Sequence, residues 1–177
     1  GRRATRSLAF SHSGQRLATL DGGDTLRLWD RRSGEPLLEW NEGVGEGSTV
    51  TFDPRDQILF GFQPDGGIVK WRAELPSPDG NLRGHHELVR MIVLSPDGRR
   101  LLSSSYDGTA KLWDTEKEQE MLILRGHTAT VDGVRFQPYG PLIATASWDR
   151  TIRLWDANTG TTPRTLEGHT GRVTGIA

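Results

Sequence analysis

The sequence predicts an all-β chain made of repeated four-stranded antiparallel sheets, and three observations carry that prediction. Four series of residues recur every 42 positions along the 177-residue chain, without insertion or deletion. They are Trp29, Trp71, Trp113 and Trp155; Phe10, Phe52, Leu94 and Phe136; Trp40, Leu82, Leu124 and Leu166; and His85, His127 and His169, each after a glycine. Within one period, short segments rich in β-branched and aromatic residues alternate apolar with polar positions, as half-buried strands do. Finally, 22 glycines and 9 prolines, many in Asp-Gly and Pro-Asp pairs, supply tight turns and interrupt any helical stretch.

Taken in order, the units cover about 1–42, 43–84, 85–126 and 127–168, and 169–177 begins another. The first opens on an innermost strand at 6–10. In the third, residues 88–94 alternate and end at Ser95-Pro96-Asp97-Gly98, a hairpin turn. Strands follow at 100–105, at 109–114 beyond the Asp107-Gly108 turn, and at 120–124. The fourth repeats this at 131–136, 142–147, 151–156 and 164–166, and a further innermost strand is expected at 173–177.

A single sheet of this kind cannot bury both faces and needs a neighbour on each side. Stacked twisted four-stranded sheets close radially, so each unit is expected to be a β-propeller blade. Four blades and the first strand of a fifth make a partial propeller. The chain opens without methionine and stops inside a strand. The expectation is therefore a segment of a larger regulatory or signalling protein, ahead of a homodimer completing an eight-bladed ring or four blades closing alone.

Gly84-His85, Gly126-His127 and Gly168-His169 combine at this period with Trp29-Asp30, Trp113-Asp114 and Trp155-Asp156, and with turns at Asp107 and Asp149. In these features the whole chain resembles the WD-repeat β-propeller family. The resemblance implies a hydrogen-bonded set in each complete blade: a loop histidine, a second-strand hydroxyl, a turn aspartate and a third-strand tryptophan. In the third unit these are His85, Ser103 or Ser105, Asp107 and Trp113; in the fourth, His127, Thr145 or Ser147, Asp149 and Trp155. The second unit has Gly43 at the histidine position, keeps Asp65, and follows Trp71 with Arg72. The first has Gly1 there, and Gly23 then Asp24 at the turn. Both are expected to lack the full set and to be the softer part of the array.

Chemistry-bearing motifs are scarce. The net charge of −1, from 22 basic and 23 acidic residues, argues against nucleic acid or anionic lipid as a partner. The absence of cysteine removes disulfides, thiol nucleophiles and thiolate metal sites, and fits a cytoplasmic location. No apolar stretch approaches the ~20 residues that span a bilayer. The adjacent His85 and His86 point apart, His12 lacks a partner motif, and the glycines at 43–47 lack phosphate-loop spacing, so no metal or cofactor is expected. Ser147, His127 and Asp149, like Ser105, His85 and Asp107, have the composition of a hydrolase triad. Recurrence once per repeat beside a tryptophan marks them as structural.

These observations predict a non-catalytic scaffold for a protein or peptide partner. The alternative is a lid or substrate gate belonging to a multidomain enzyme. Partner contacts are expected just before each turn aspartate, at Pro64, Tyr106 and Trp148, against Gly22 in the first unit. By resemblance, Arg6, Arg90, Asp132, Arg172 and Thr174, at the starts of innermost strands, lie near the same rim. Tyr106 and Trp148 could equally serve to pack against the neighbouring blade's loop.

Overall fold

Every hairpin among the described residues joins neighbours in sequence, and the result in a computed structural model is four antiparallel meanders. The structure describes residues 5–22, 25–41, 49–63, 65–73, 78–162 and 164–176, and among them there is no helix. The first sheet contains β1 (Thr5–Phe10), β2 (Arg16–Asp21), β3 (Leu26–Asp30) and β4 (Pro36–Trp40). The second contains β5 (Thr51–Phe52), β6 (Ile58–Phe62), β7 (Ile68–Arg72) and β8 (Pro78–Leu82). The third contains β9 (Val89–Leu94), β10 (Arg100–Ser105), β11 (Ala110–Asp114) and β12 (Gln119–Leu124). The fourth contains β13 (Val131–Phe136), β14 (Leu142–Ser147), β15 (Ile152–Asp156) and β16 (Arg164–Leu166).

The chain divides into two compact units, residues 1–83 and 84–177. In the first, Leu20, Leu26, Leu28 and Trp40 form one core with Val50, Phe52, Leu59 and Trp71. In the second, Leu102, Leu112 and Leu124 of the third sheet form a core with Val131, Val134, Ile143 and Trp155 of the fourth. The pattern follows from strand geometry, because alternate residues point to one face and that face meets the next sheet.

Two differences from the sequence reading have physical causes. Strands β11 and β15 begin one residue later than alternation suggests. Thr109 and Thr151 belong to the turns instead, each giving its N–H and its hydroxyl to the carboxylate two residues earlier. The strand expected at 173–177 is absent over 173–176. Each other innermost strand pairs with the next strand in sequence, and among the described residues 173–176 make no such pairing. Val173 is nonetheless buried and donates its N–H to the Ser147 carbonyl at 3.0 Å.

The turn between β5 and β6 shows how one substitution ties two sheets together. Gly14 and Gly98 hold left-handed backbone in the equivalent turns of the first and third sheets, with φ of 66° and 71°. The second sheet has Asp56 there, at φ 59°. Its carboxylate accepts the His12 N–H at 2.5 Å and the Ser13 N–H at 2.8 Å, from the first sheet's turn. Asp56→Ala is expected to cost about 2 kcal/mol, because alanine loses both acceptors and keeps the unfavourable backbone. Asp56→Gly should cost about 1 kcal/mol less, since glycine removes the backbone penalty. Urea unfolding of both variants tests this, and equal losses would refute the backbone contribution.

Candidate partner-binding surface

The third sheet carries a chain of hydrogen bonds from its core to its rim. Trp113 donates its indole N–H to Ser103 Oγ at 2.8 Å, and His85 Nε2 lies 2.7 Å from the same oxygen. His85 Nδ1 is 2.8 Å from Asp107 Oδ2. A carboxylate only accepts, so Nδ1 carries the proton and the serine hydroxyl donates to Nε2. The fourth sheet repeats the arrangement. Trp155 donates to Thr145 Oγ1 at 2.8 Å, with His127 Nε2 2.7 Å from that oxygen and His127 Nδ1 2.7 Å from Asp149 Oδ2.

Of the two hydroxyls available in each sheet, Ser103 and Thr145 sit between tryptophan and histidine. Ser105 and Ser147 tie down the turns. Ser105 donates to the carbonyls of Glu87 and Leu88, and Ser147 to that of Ala129, while each accepts the N–H of the turn aspartate. Ser103, His85 and Asp107 thus have the connectivity of a hydrolase triad. Ser103 is 0% exposed and already accepts the Trp113 N–H, so no scissile carbonyl can reach it. The third histidine of the series, His169, is exposed.

Burial alone would raise the Asp149 carboxyl. The Thr151 hydroxyl, the His127 ring and backbone N–H groups outweigh it and hold the group well below the usual carboxylate range. Asp107 behaves alike: burial is opposed chiefly by His85 and Thr109. Burial also lowers His127, and Asp149 only partly restores it.

The first two sheets keep less of this. Trp29 donates to Thr19 Oγ1 at 2.7 Å. The corresponding position in the second sheet is Gly61, and the buried Trp71 N–H has no partner among the described residues. A Cβ on Gly61 would lie 3.0 Å from the Trp71 ring, so the missing side chain is the space into which that indole packs. Sequence reading overlooked Gly61, although the 42-residue period places it in register with Ser103 and Thr145. Asp65 instead receives Arg83 at 3.1 Å and the Gly67 N–H at 2.9 Å. Gly1, Gly23, Asp24 and Gly43 lie outside the described residues.

At the rim of the second unit, five side chains meet. Tyr106 and Trp148 immediately precede the turn aspartates, and their rings pack edge to face with centroids 5.6 Å apart at 86°. Arg90, on β9, lies over Tyr106 at 5.3 Å, and its Nε donates to Asp132 Oδ1, on β13, at 2.5 Å. The other Asp132 oxygen accepts the Trp148 indole N–H at 3.1 Å. Arg172 covers Trp148 with its guanidinium 4.2 Å from the ring centroid. The order along the rim is therefore Arg90, Tyr106, Trp148, Arg172, with Asp132 beneath. Tyr106 packs on its neighbour and still leaves 38% of its surface in solvent. Thr174 is exposed, and Gly22 is partly so. Pro64 and the Arg6 side chain lie outside the described residues. Among the described residues, no three His, Asp or Glu side chains group as metal ligands.

The aspartates that follow the tryptophans have a separate task. Asp114 accepts the N–H groups of Glu116 and Lys117, and Asp156 those of Asn158 and Thr159, closing the loop to the fourth strand. Residues 76–114 and 118–156 match the family model described as WD domain, G-beta repeat, each match ending on one of these aspartates. Over these residues the chain carries two WD repeats. Each matched WD repeat is out of phase with the sheets by one strand: the first spans β8 to β11 and the second β12 to β15.

Several curated proteins are similar to this WD-repeat chain. WD repeat-containing protein 18 of Danio rerio is 35% identical over 109 residues, covering 55% of the chain and 25% of that protein. Human WD repeat-containing protein 55 is 29% identical over 108 residues, covering 60% and 28%. Striatin-4 of Mus musculus is 28% identical over 129 residues, covering 60% and 17%. The matches thus span 17% to 28% of the length of these relatives. No helix among the described residues is long and apolar enough to cross a membrane.

Proposed function

We propose that this chain is a non-catalytic scaffold that binds a protein or peptide partner through the rim formed by Arg90, Tyr106, Asp132, Trp148 and Arg172, within a larger regulatory or signalling protein. WD-repeat domains as a class bind protein partners. The observation that carries the reading here is the convergence of two aromatic rings and two arginines, drawn from separate sheets and loops, on one exposed edge. Tyrosine, tryptophan and arginine dominate binding energy at protein interfaces, because each combines a large contact area with a polar tip. The hydrogen-bonded sets beneath hold the two turns rigid, so the rim side chains lose little freedom when a partner arrives.

The test is quantitative affinity purification with the chain and with its Arg90→Ala, Tyr106→Ala and Trp148→Ala variants, followed by titration of each recovered protein in purified form. At least one variant is expected to weaken a direct partner by about tenfold, the effect of a single hot-spot residue. A direct partner whose affinity is the same for all three variants places its site elsewhere.

A further inference from the structure

We infer that the rim recognises an acidic segment of its partner, with Arg172 pairing a carboxylate while a neighbouring apolar side chain of that segment covers Tyr106 and Leu88. This rests on the rim being the binding surface, and the charge arrangement gives the partner's chemistry. Asp132 is the carboxylate within the cluster, and both its oxygens are engaged, one by Arg90 and one by the Trp148 indole. Its side chain is 5% exposed, so it is closed to a cationic partner. Arg90 is spent on the same carboxylate.

Arg172 differs from Arg90. It is exposed, and among the described residues it has its stacking contact with Trp148 and no carboxylate partner. Stacking holds the planar guanidinium in one orientation with its N–H edge open, the form in which arginine takes a carboxylate through two parallel hydrogen bonds. The cluster therefore carries one positive charge in excess and one unused fork of donors. Leu88 is 37% exposed, and its carbonyl accepts the Tyr106 N–H at 3.0 Å, so apolar surface continues from Tyr106 on the side of Trp148 away from Arg172.

Phosphate could supply the negative charge, but the rings are poorly placed for nucleic acid. Arg172 covers one face of Trp148, Arg90 lies over Tyr106, and the two rings stand at 86°. Bases stack on successive, roughly parallel open faces, and a phosphate backbone needs several unpaired cations. The chain's net charge of −1 adds no attraction for a polyanion.

Panning a phage-displayed random dodecapeptide library on the whole chain, in parallel with Trp148→Ala and Arg172→Gln, tests the inference. Arg172 is exposed and outside the core, so Arg172→Gln should keep the parent's melting temperature. The expected result is enrichment of Asp or Glu next to Leu, Phe or Trp. A synthetic peptide of the enriched sequence should bind Arg172→Gln at least about tenfold more weakly, and bind the parent more weakly as salt rises from about 0.05 to 0.5 M. Peptides that depend on Trp148 but carry no acidic preference, and bind Arg172→Gln normally, overturn the inference and leave the surface standing. If no recovered peptide depends on Trp148, or none is recovered, the surface falls and the inference with it. An oligothymidylate that binds through Arg172 when acidic peptides do not would overturn it in favour of nucleic acid.

Discussion

Replacing Trp155 with alanine is expected to lower the unfolding free energy by about 3–5 kcal/mol. The indole is 1% exposed and packs in the core shared by the third and fourth sheets. Removing it leaves a cavity that two hydrogen-bonded sheets cannot collapse to fill. It also takes the N–H from Thr145, whose hydroxyl is shared with His127. Phenylalanine separates the two contributions. Trp155→Phe retains much of the buried ring and loses the hydrogen bond, whereas Trp71→Phe loses no such bond, because that N–H has no partner among the described residues. The first should therefore cost about 1 kcal/mol more than the second. Urea denaturation of the three variants measures this. A Trp155→Ala protein as stable as the parent would refute the placement of this residue in the core.

Removing Asp149 is the second large perturbation, and acid should reproduce part of it. The carboxylate takes the His127 ring, the Thr151 hydroxyl, and the N–H groups of Thr128 and Thr151. Asp149→Ala leaves all of these without an acceptor, and should cost about 3 kcal/mol at neutral pH. Asp107 and Asp149 both have their carboxyls held below the ordinary aspartate value of 3.8. Between the folded and unfolded pKa the unfolded chain binds more protons, so this stabilisation is complete above about pH 4 and fades as pH falls below it. His127 is likewise lowered from 6.5, by burial. The unfolded chain therefore takes up that proton first, and stability begins to fall once pH drops below about 6.5. Both effects have the same sign. Thermal melts from pH 8 to pH 3 should show a shallow decline and then a steeper one, with the steeper part reduced in Asp149→Ala. A parent melting temperature that rises on acidification would contradict the assignment.

Much of this could be read from the sequence. The 42-residue period located all four sheets, because each period carries one full set of four strands and their turns. Alternation and turn residues placed β10, β13, β14 and β16 to the residue. The polar residue types at Asp107, His85 and their counterparts were visible for the same reason, since buried polar groups must be supplied in sets that satisfy one another.

The tertiary structure decided what residue identity and local period leave open. Ser103 and Ser105 point to the same face of β10, so alternation does not distinguish them; the register that pairs Ser103 with Lys111, beside Trp113, does. Gly61 matters only because an indole occupies the space its side chain would fill, and Asp56 because the neighbouring turn presents two N–H groups to it. The 173–176 segment alternates like a strand, yet it forms no ladder with the described residues. The sharpest case is the rim. The sequence named Arg90, Tyr106, Asp132, Trp148 and Arg172 one by one, from turn positions and resemblance. Which arginine is spent on Asp132 and which stacks on Trp148 is a matter of distances across three segments, and only the folded chain sets those.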